Sequence, residues 1–205
     1  MKDIALIGYS GHAFVALEAF VSQARNVTAY VEASEKQNNP YDLTWLGSEN
    51  DKNTIGLLKE YEYFVGIGDN LIRRKVTETL SKTIGQPLNA IHRTAIVSSS
   101  SKMGEGNLLA AGCVINPQVR IGNGVICNTG SIIEHDCALA DFVHVAPGAV
   151  LCGNISVGEN SFIGANAVVK EGVRIGKNVI IGAGTVVIAD VANGKKLVGN
   201  PQRML

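Results

Sequence analysis

The sequence predicts a small parallel α/β unit followed by a parallel β-helix, and three observations carry that expectation. Strand-like and helix-like segments alternate through the first 88 residues. From Ile91 onward an apolar residue recurs at every sixth position. Glycine is abundant, at 23 residues, while aromatics make up only 5%, which suits many tight turns and small side chains better than a sandwich or a helical bundle. The 205 residues suffice for one large domain or two small ones, and the change of pattern divides them into 1–88 and 89–205.

In the first half, Lys2-Gly8 reads as a strand, Val27-Val31 as a second and Tyr61-Ile67 as a third. Ala13-Ala24 carries Phe14, Leu17, Glu18 and Val21 at mixed helical spacing, which gives one apolar stripe. Leu71-Lys82 has helical spacing through Leu71, Val76 and Leu80, with charge on one face. Strands alternating with helices argue for a parallel sheet. Glu35-Asn53 is polar, contains Pro40 and reads as loop.

In the second half, the series Ile91, Val97, Met103, Leu109, Ile115 and so on to Val187 gives seventeen apolar positions without a slip. With 46% hydrophobic residues overall, chance produces such a run roughly once in a hundred thousand trials, all six registers allowed. The residue after each of these markers is often Gly, Ala or Asn, as at Gly104, Asn116, Gly158 and Gly182. Two places before them sit small or β-branched residues such as Cys113, Ser131, Val143 and Ala167. Hexapeptide repeats build parallel β-helices. Each hexad supplies one short strand and one turn, and three hexads close a triangular coil. The marker points inward, the residue beside the turn is expected to be small or to tolerate unusual dihedrals, hence Gly and Asn, and stability comes from stacking coil on coil. Cys113, Cys127 and Cys137 read as packing residues.

Eighteen basic residues balance eighteen acidic ones, so no net charge draws the chain to nucleic acid or an anionic membrane. No apolar stretch approaches the roughly 18 residues of a membrane span. The four cysteines form no C-x-x-C pair, which argues against a zinc ribbon or redox motif. A cytoplasmic protein with reduced thiols is expected.

Several motifs together resemble a known group, the bacterial hexapeptide-repeat nucleotide-sugar N-acetyltransferases of the bacillosamine pathway and their sialic-acid O-acetyltransferase-like relatives. They are Gly8-Tyr9-Ser10-Gly11-His12-Ala13, Gly66-Ile67-Gly68-Asp69-Asn70 with Ile72-Arg73, Asn128 through Cys137, His144-Val145, and Val198-Gly199-Asn200-Pro201. The resemblance implies a Rossmann-like first domain, a left-handed helix, a homotrimer, acetyl-CoA as co-substrate bound between neighbouring helices, and no metal. The handedness rests on the resemblance alone, since parallel crossovers are normally right-handed.

Acetyl transfer to an amine needs a base to take the proton of the attacking nucleophile. Histidine, with an ordinary pKa near ~6.5, suits that task, and the resemblance assigns it to His135. Asp136 follows as the carboxylate that orients and polarises the imidazole, at a place where the bacillosamine-pathway enzymes usually carry the longer glutamate. By resemblance His144 contacts the acetyl group or cofactor, and the backbone N–H of Gly153 bonds the thioester oxygen. Ala165 and Ala183 touch the cofactor through their backbones, and Asn128 helps hold the acceptor. The loop after the first strand lacks the second glycine of G-x-G-x-x-G, because Ser10 stands there, so a dinucleotide cofactor is not expected. A helix N-terminus still suits phosphate, and the resemblance gives Ser10, Gly11 and His12 to a nucleotide-sugar diphosphate. Glu32 ends the second strand, where an acidic group reaches a ribose or base, and Gly68 follows the third at another ligand-binding strand end. His92 is expected to be structural.

The expected activity is therefore acetyl-CoA-dependent N-acetylation of a nucleotide-linked amino sugar, in the form of a UDP-4-amino-4,6-dideoxy sugar. Three alternatives stand beside it, of which a non-catalytic binding or scaffold protein is opposed by the adjacent His135 and Asp136 and the separate phosphate-type loop. Sugar O-acetylation of the sialic-acid type would use the same base on a hydroxyl. A carbonic-anhydrase-like zinc protein would need three histidine ligands, and His92, His135 and His144 follow no such spacing.

Overall fold

The structure is a computed structural model and describes residues 2–205. The first half contains β1 (Ile4–Ile7), α1 (Gly11–Ser22), β2 (Val27–Val31), β3 (Thr44–Trp45), α2 (Lys52–Leu58), β4 (Glu62–Val65) and α3 (Asn70–Ile84). The four strands are parallel, in the order β3-β2-β1-β4. The chain leaves β1 toward β2 and β3 on one side and later adds β4 on the other. The topological switch point, where open α/β sheets leave a crevice for ligands, therefore lies between the carboxyl ends of β1 and β4.

Three sequence expectations are corrected in this half. Glu35–Asn53 is not all loop, since it holds β3, paired to β2 through Ala29↔Thr44 and Tyr30↔Trp45, and α2 starts at Lys52 with Asp51 accepting from Asn53 N–H as its cap. The buried face of α1 is Ala13, Ala16, Leu17, Ala19 and Phe20, while Val21 is exposed. The helical period was right and its phase was rotated. The buried positions are mostly alanine because α1 is wedged between the sheet and the β-helix, in one core with Leu6, Leu108 and Ile126. In α3 the buried residues are Asn70, Arg73, Thr77 and Leu80, and Leu71 is 62% exposed. The amino end of α3 docks on backbone carbonyls of the β-helix, which only donors satisfy.

In the second half, seventeen two-residue strands run from Ala90–Ile91 to Val186–Val187, each ending on a marker of the six-residue series. They stack into three faces of eight, six and five strands, the eight-stranded face including two terminal strands. The helix is left-handed. Markers and the small residues two places before them fill a single axial core, from Leu109 and Cys113 to Val187 and Leu197. Lys196–Val198 and Arg203–Met204 pair antiparallel at the carboxyl end, which limits the exposed edge there.

The structure separates the two reasons expected for the Gly and Asn beside the turns, small size and tolerance of unusual dihedrals. Every sixth residue from Gly106 to Gly184 has a positive φ, between 54° and 75°. These residues lie three places after a marker, and Asp136 and Phe142 are among them. The glycines directly after markers have no such φ. A Cβ at Gly158 or Gly164 would lie 2.6 Å from the backbone of the next coil. They are small because coils stack there in contact, and side-chain volume sets the constraint.

Candidate active site

Two loops meet at the switch point. In the first, β1 runs through Gly8, at φ 89°, into Ser10, the N-cap of α1, whose hydroxyl makes no capping bond. Ser10 and Gly11 are exposed, and the first amide groups of α1 have no partner among the described residues. Glu32 turns back to this loop, its Oε1 accepting from Tyr9 N–H at 3.0 Å, with Lys36 3.5 Å from its other oxygen. In the second loop, Gly66 lies against α1 so closely that a Cβ would sit 2.6 Å from Ala13 Cβ, and Gly68 lies beside the His12 ring. An open cleft of about 340 Å³ continues from this loop between Gly68, Leu71, Phe162 and Ile180.

Arg73 underlies the second loop and was not singled out as a site residue from sequence. It is 1% exposed. Nη1 donates to the carbonyls of Ile67 and Gly68, both at 3.0 Å, and Nε donates to Gly124 O at 2.8 Å. Nη2 donates to Asn70 Oδ1 at 2.8 Å and to Phe142 O at 3.2 Å. Asn70 Nδ2 in turn donates to Asn160 O and Ser161 O. All five guanidinium N–H groups are used, all on neutral acceptors. Burial pulls the Arg73 pKa down to about 9, against the opposing effect of Asp69, so it stays charged at neutral pH. The sequence signal was a buried-phase position on α3, legible only once the helix phase is known.

His12 and His144 lie next to each other across the domain boundary, with ring centroids 5.6 Å apart and the planes tilted by 51°. His144 projects outward from the eight-stranded face, beside Phe162, and Asn128 Nδ2 lies 3.3 Å from its Nε2. The Asn128 carbonyl oxygen accepts from Thr129 N–H at 2.8 Å, so this side chain serves its turn as well. Burial, then the charge of Arg73, lowers the His12 pKa to about 4; the same two causes and His12 itself lower that of His144 to about 3. Both rings are neutral at pH 7. His12 Nε2 and His144 Nδ1 are buried without a hydrogen-bond partner among the described residues, a costly state that a polar ligand relieves.

His135 and Asp136 occupy the corner where the six- and five-stranded faces meet. The positive φ of 63° at Asp136 breaks the alternation of an extended chain, and its Oδ2 lies 2.9 Å from His135 Nδ1. With Nδ1–H donating to the carboxylate, Nε2 carries the free lone pair. The His135 side chain is 56% exposed, and its pKa is raised, chiefly by the Asp136 hydrogen bond and further by the charges of Asp136, Glu134 and Glu171. Gly153 stands one coil further on, where an added Cβ would be 2.6 Å from Cε1 and 2.7 Å from Nε2 of this ring. Its N–H has no partner among the described residues. Glu134 faces elsewhere, accepting from Asn116 Nδ2 at 3.0 Å.

Within one chain these residues form separate groups. Ser10, Gly11, His12, Glu32 and Gly68 gather at the switch point, with His144 and Asn128 against them on the eight-stranded face. His135, Asp136 and Gly153 lie on the corner opposite that face of the triangular prism. Ala165 and Ala183, eighteen residues apart and hence stacked, line the corner between the eight- and six-stranded faces. His92, paired with Thr94 Oγ1 at 2.8 Å, belongs to none of them. Among the described residues no three His, Cys, Asp or Glu side chains cluster as a metal site, and no helix is long and apolar enough to cross a membrane.

An α/β domain with a phosphate-suited switch point, joined to a hexapeptide helix bearing a His-Asp pair, defines a hexapeptide-repeat acyltransferase with a nucleotide-type domain. Residues 3–80 match the PglD N-terminal domain, and residues 154–189 match the bacterial transferase hexapeptide (six repeats). The acetyltransferase domain of PglB from Neisseria gonorrhoeae FA1090, solved with acetyl coenzyme A, is 31% identical with a TM-score of 0.93, over 100% of this chain and 99% of that one. A histidine-to-asparagine variant of perosamine N-acetyltransferase from Caulobacter crescentus, solved with CoA and GDP-perosamine, is 34% identical with a TM-score of 0.93, over 100% and 97%. WeeI from Acinetobacter baumannii AYE is 26% identical with a TM-score of 0.89, over 100% of both. The chain belongs to the bacterial hexapeptide-repeat nucleotide-sugar N-acetyltransferase family.

Proposed function

We propose that this acyltransferase moves an acetyl group from acetyl-CoA to the amine of a nucleotide-linked amino sugar, with a UDP-4-amino-4,6-dideoxy sugar as the leading acceptor and His135 as general base. The observation that carries the reading is the His135–Asp136 pair, with Nδ1 held at 2.9 Å by the carboxylate and the side chain 56% exposed. The acceptor's diphosphate lies at the amino end of α1, on Ser10, Gly11 and His12, with Gly68 beside it and Glu32 toward the ribose or base. Free backbone donors and a helix dipole favour that anion. His135 Nε2 takes a proton from the amine as its nitrogen attacks the thioester carbonyl. The Gly153 N–H receives the developing oxyanion. The C–S bond then breaks, and the imidazolium, stabilised by Asp136, returns a proton to the departing CoA thiolate. No acetylated residue and no metal is needed. His144 and Asn128 border the acceptor's sugar, and the backbones at Ala165 and Ala183 hold the coenzyme.

The acceptor half-site and His135 lie on opposite sides of one prism, so the reading requires a neighbouring copy. An outward column of Ile96, Val114, Ile132, Val150, Val168 and Val186 runs the length of the six-stranded face, with Ile96 65% and Val168 37% exposed. The five-stranded face instead presents Lys102, Arg120, Ala138, Ser156 and Arg174, four of them polar or charged. A continuous apolar stripe of this kind favours burial against another copy, which supports a homotrimer with residues 1–88 of one subunit facing residues 89–205 of the next. Both substrates are cytoplasmic metabolites, and the cytoplasm is the proposed compartment.

The test is thiol release from acetyl-CoA with UDP-, GDP- and dTDP-linked 3-amino and 4-amino sugars, beside free sialic acid, in wild type and His135→Ala. Turnover of one amino nucleotide-sugar, reduced roughly 10²–10⁴-fold in the variant, is expected. Turnover of sialic acid alone would move the enzyme to O-acetylation. Undiminished turnover by the variant would remove His135 as the base.

A further inference from the structure

We infer that Arg73 is a positioning residue for the acceptor's diphosphate: it turns two peptide groups of the second loop so that their N–H bonds, backed by its own charge, face the anion. The inference rests on the reading of the switch point as a nucleotide-sugar site and adds a residue and two donors to it.

The geometry begins with the carbonyls of Ile67 and Gly68, which both point at Arg73 Nη1. A trans peptide group is planar with its C=O and N–H on opposite sides. The N–H groups of Gly68 and Asp69 belong to these same two peptides and therefore point away from the guanidinium. Neither has a hydrogen-bond partner among the described residues. Gly68 lies against His12, whose own backbone N–H is one of the free donors opening α1. The two loops thus present unpaired donors to one crevice between β1 and β4.

The charge argument is independent of the donor argument. Arg73 is buried and forms no ion pair among the described residues. Asp69, the carboxylate felt most strongly, spends its Oδ1 on capping Leu71 and Ile72. A buried arginine tied only to neutral acceptors is an expensive way to fasten two domains, and amides would do that work at lower cost. Its positive charge, held in no ion pair among the described residues and opposed only at a distance by Asp69, becomes favourable when a diphosphate occupies the crevice. The fork also fixes the loop to the corner of the β-helix through Gly124 and Phe142, so the donors keep a set position relative to the helix.

Amide hydrogen exchange on the wild-type protein with UDP, GDP or acetyl-CoA tests this directly. Either nucleoside diphosphate is expected to slow exchange at Gly68 and Asp69 by about tenfold or more, together with Gly11 and His12, and acetyl-CoA is expected to leave all four unchanged. Protection of Gly11 and His12 without Gly68 and Asp69 would overturn the inference and leave the nucleotide site standing. Protection of none would overturn the nucleotide site itself. Steady-state kinetics supply the second arm, with Arg74→Ala as control, because Arg74 bridges to Glu159 across the same boundary without touching the loop. Arg73→Met is expected to raise KM for the nucleotide-sugar about tenfold or more with KM for acetyl-CoA within about twofold, and Arg73→Lys to recover part of that loss. Equal losses toward both substrates, or the same pattern in Arg74→Ala, would reduce Arg73 to a structural fastener. If Arg73→Met does not fold, Arg73→Lys and the exchange measurement decide.

Discussion

Gly153→Ala tests the proposed base through a residue that carries no functional group. The substitution adds one methyl, 2.6 Å from His135 Cε1, 2.7 Å from Nε2 and 3.2 Å from Nδ1. Carbon atoms in contact sit about 3.5 Å apart, so the ring must retreat by nearly ~1 Å. A misplacement of that size at a reacting group costs roughly 10²-fold in rate. The backbone does not obstruct the change, because Gly153 is not among the positive-φ glycines. Alanine also stands at the matching corner positions Ala165 and Ala183. The assay is kcat for the acceptor identified by thiol release, in wild type, Gly153→Ala, His135→Ala and the double variant, with melting temperatures in parallel. A fall in kcat of roughly a hundredfold, with melting preserved and little further loss in the His135→Ala background, is expected. Activity within twofold of wild type would refute the placement of the imidazole. A full additional loss in the double variant would show that the added methyl acts without His135, for instance by displacing the N–H or the coenzyme.

Asp136→Asn should lower kcat by about tenfold and move the acid limb of the kcat/KM profile to lower pH. The carboxylate raises the His135 pKa, activity needs the unprotonated ring, and removing the carboxylate lets the ring stay unprotonated in more acid solution; a limb that stays in place with the same acceptor would contradict the pairing. His12 and His144 predict an acid-sensitive fold: their folded pKa values are depressed to about 4 and about 3, so the unfolded chain binds protons first. The stability they contribute is complete above the ordinary ~6.5 and declines as pH falls toward those values. Thermal melts between pH 7 and 4 should show the decline, smaller in His144→Asn. Val168→Glu on the apolar stripe should lower the mass measured by light scattering and abolish turnover; an unchanged mass would remove that face as the subunit contact.

How much was legible in the sequence depended on the kind of constraint. The β-helix was, because seventeen inward positions must all be apolar and nothing else in the chain interrupts them. β2 spans Val27–Val31, the same residues that read as a strand in the sequence. The phases of α1 and α3 were not, because each helix contacts two layers, and burial there selects Ala13, Ala16 and Arg73 over Phe14, Leu71 and Val21. β3 was hidden because a two-residue edge strand needs no apolar pattern. At the site, the His135–Asp136 contact depended on a positive φ at Asp136 that an aspartate only weakly advertises. The part of Gly153 that matters, its missing Cβ, concerns a ring eighteen residues away, a distance meaningful only once three hexads make a coil.

The separation of the half-sites has a mechanistic use. A general base with a raised pKa needs solvent exposure and a nearby carboxylate, as the His135 corner provides. The proposed diphosphate site needs positive potential, which Arg73 and free backbone donors would supply. In a single compact pocket these requirements oppose each other: the Arg73 charge already helps to depress His12 and His144, and beside His135 it would lower the basicity that Asp136 confers. In the proposed mechanism, placing the phosphate site and the base on opposite sides of the prism keeps each field local. Under that proposal only the acceptor's sugar, extending from its diphosphate, would have to bridge the gap to a neighbour's corner. The β-helix suits that division because its coils hold corners at a fixed height along the axis, so the register between two copies is set by the same six-residue period that builds the core.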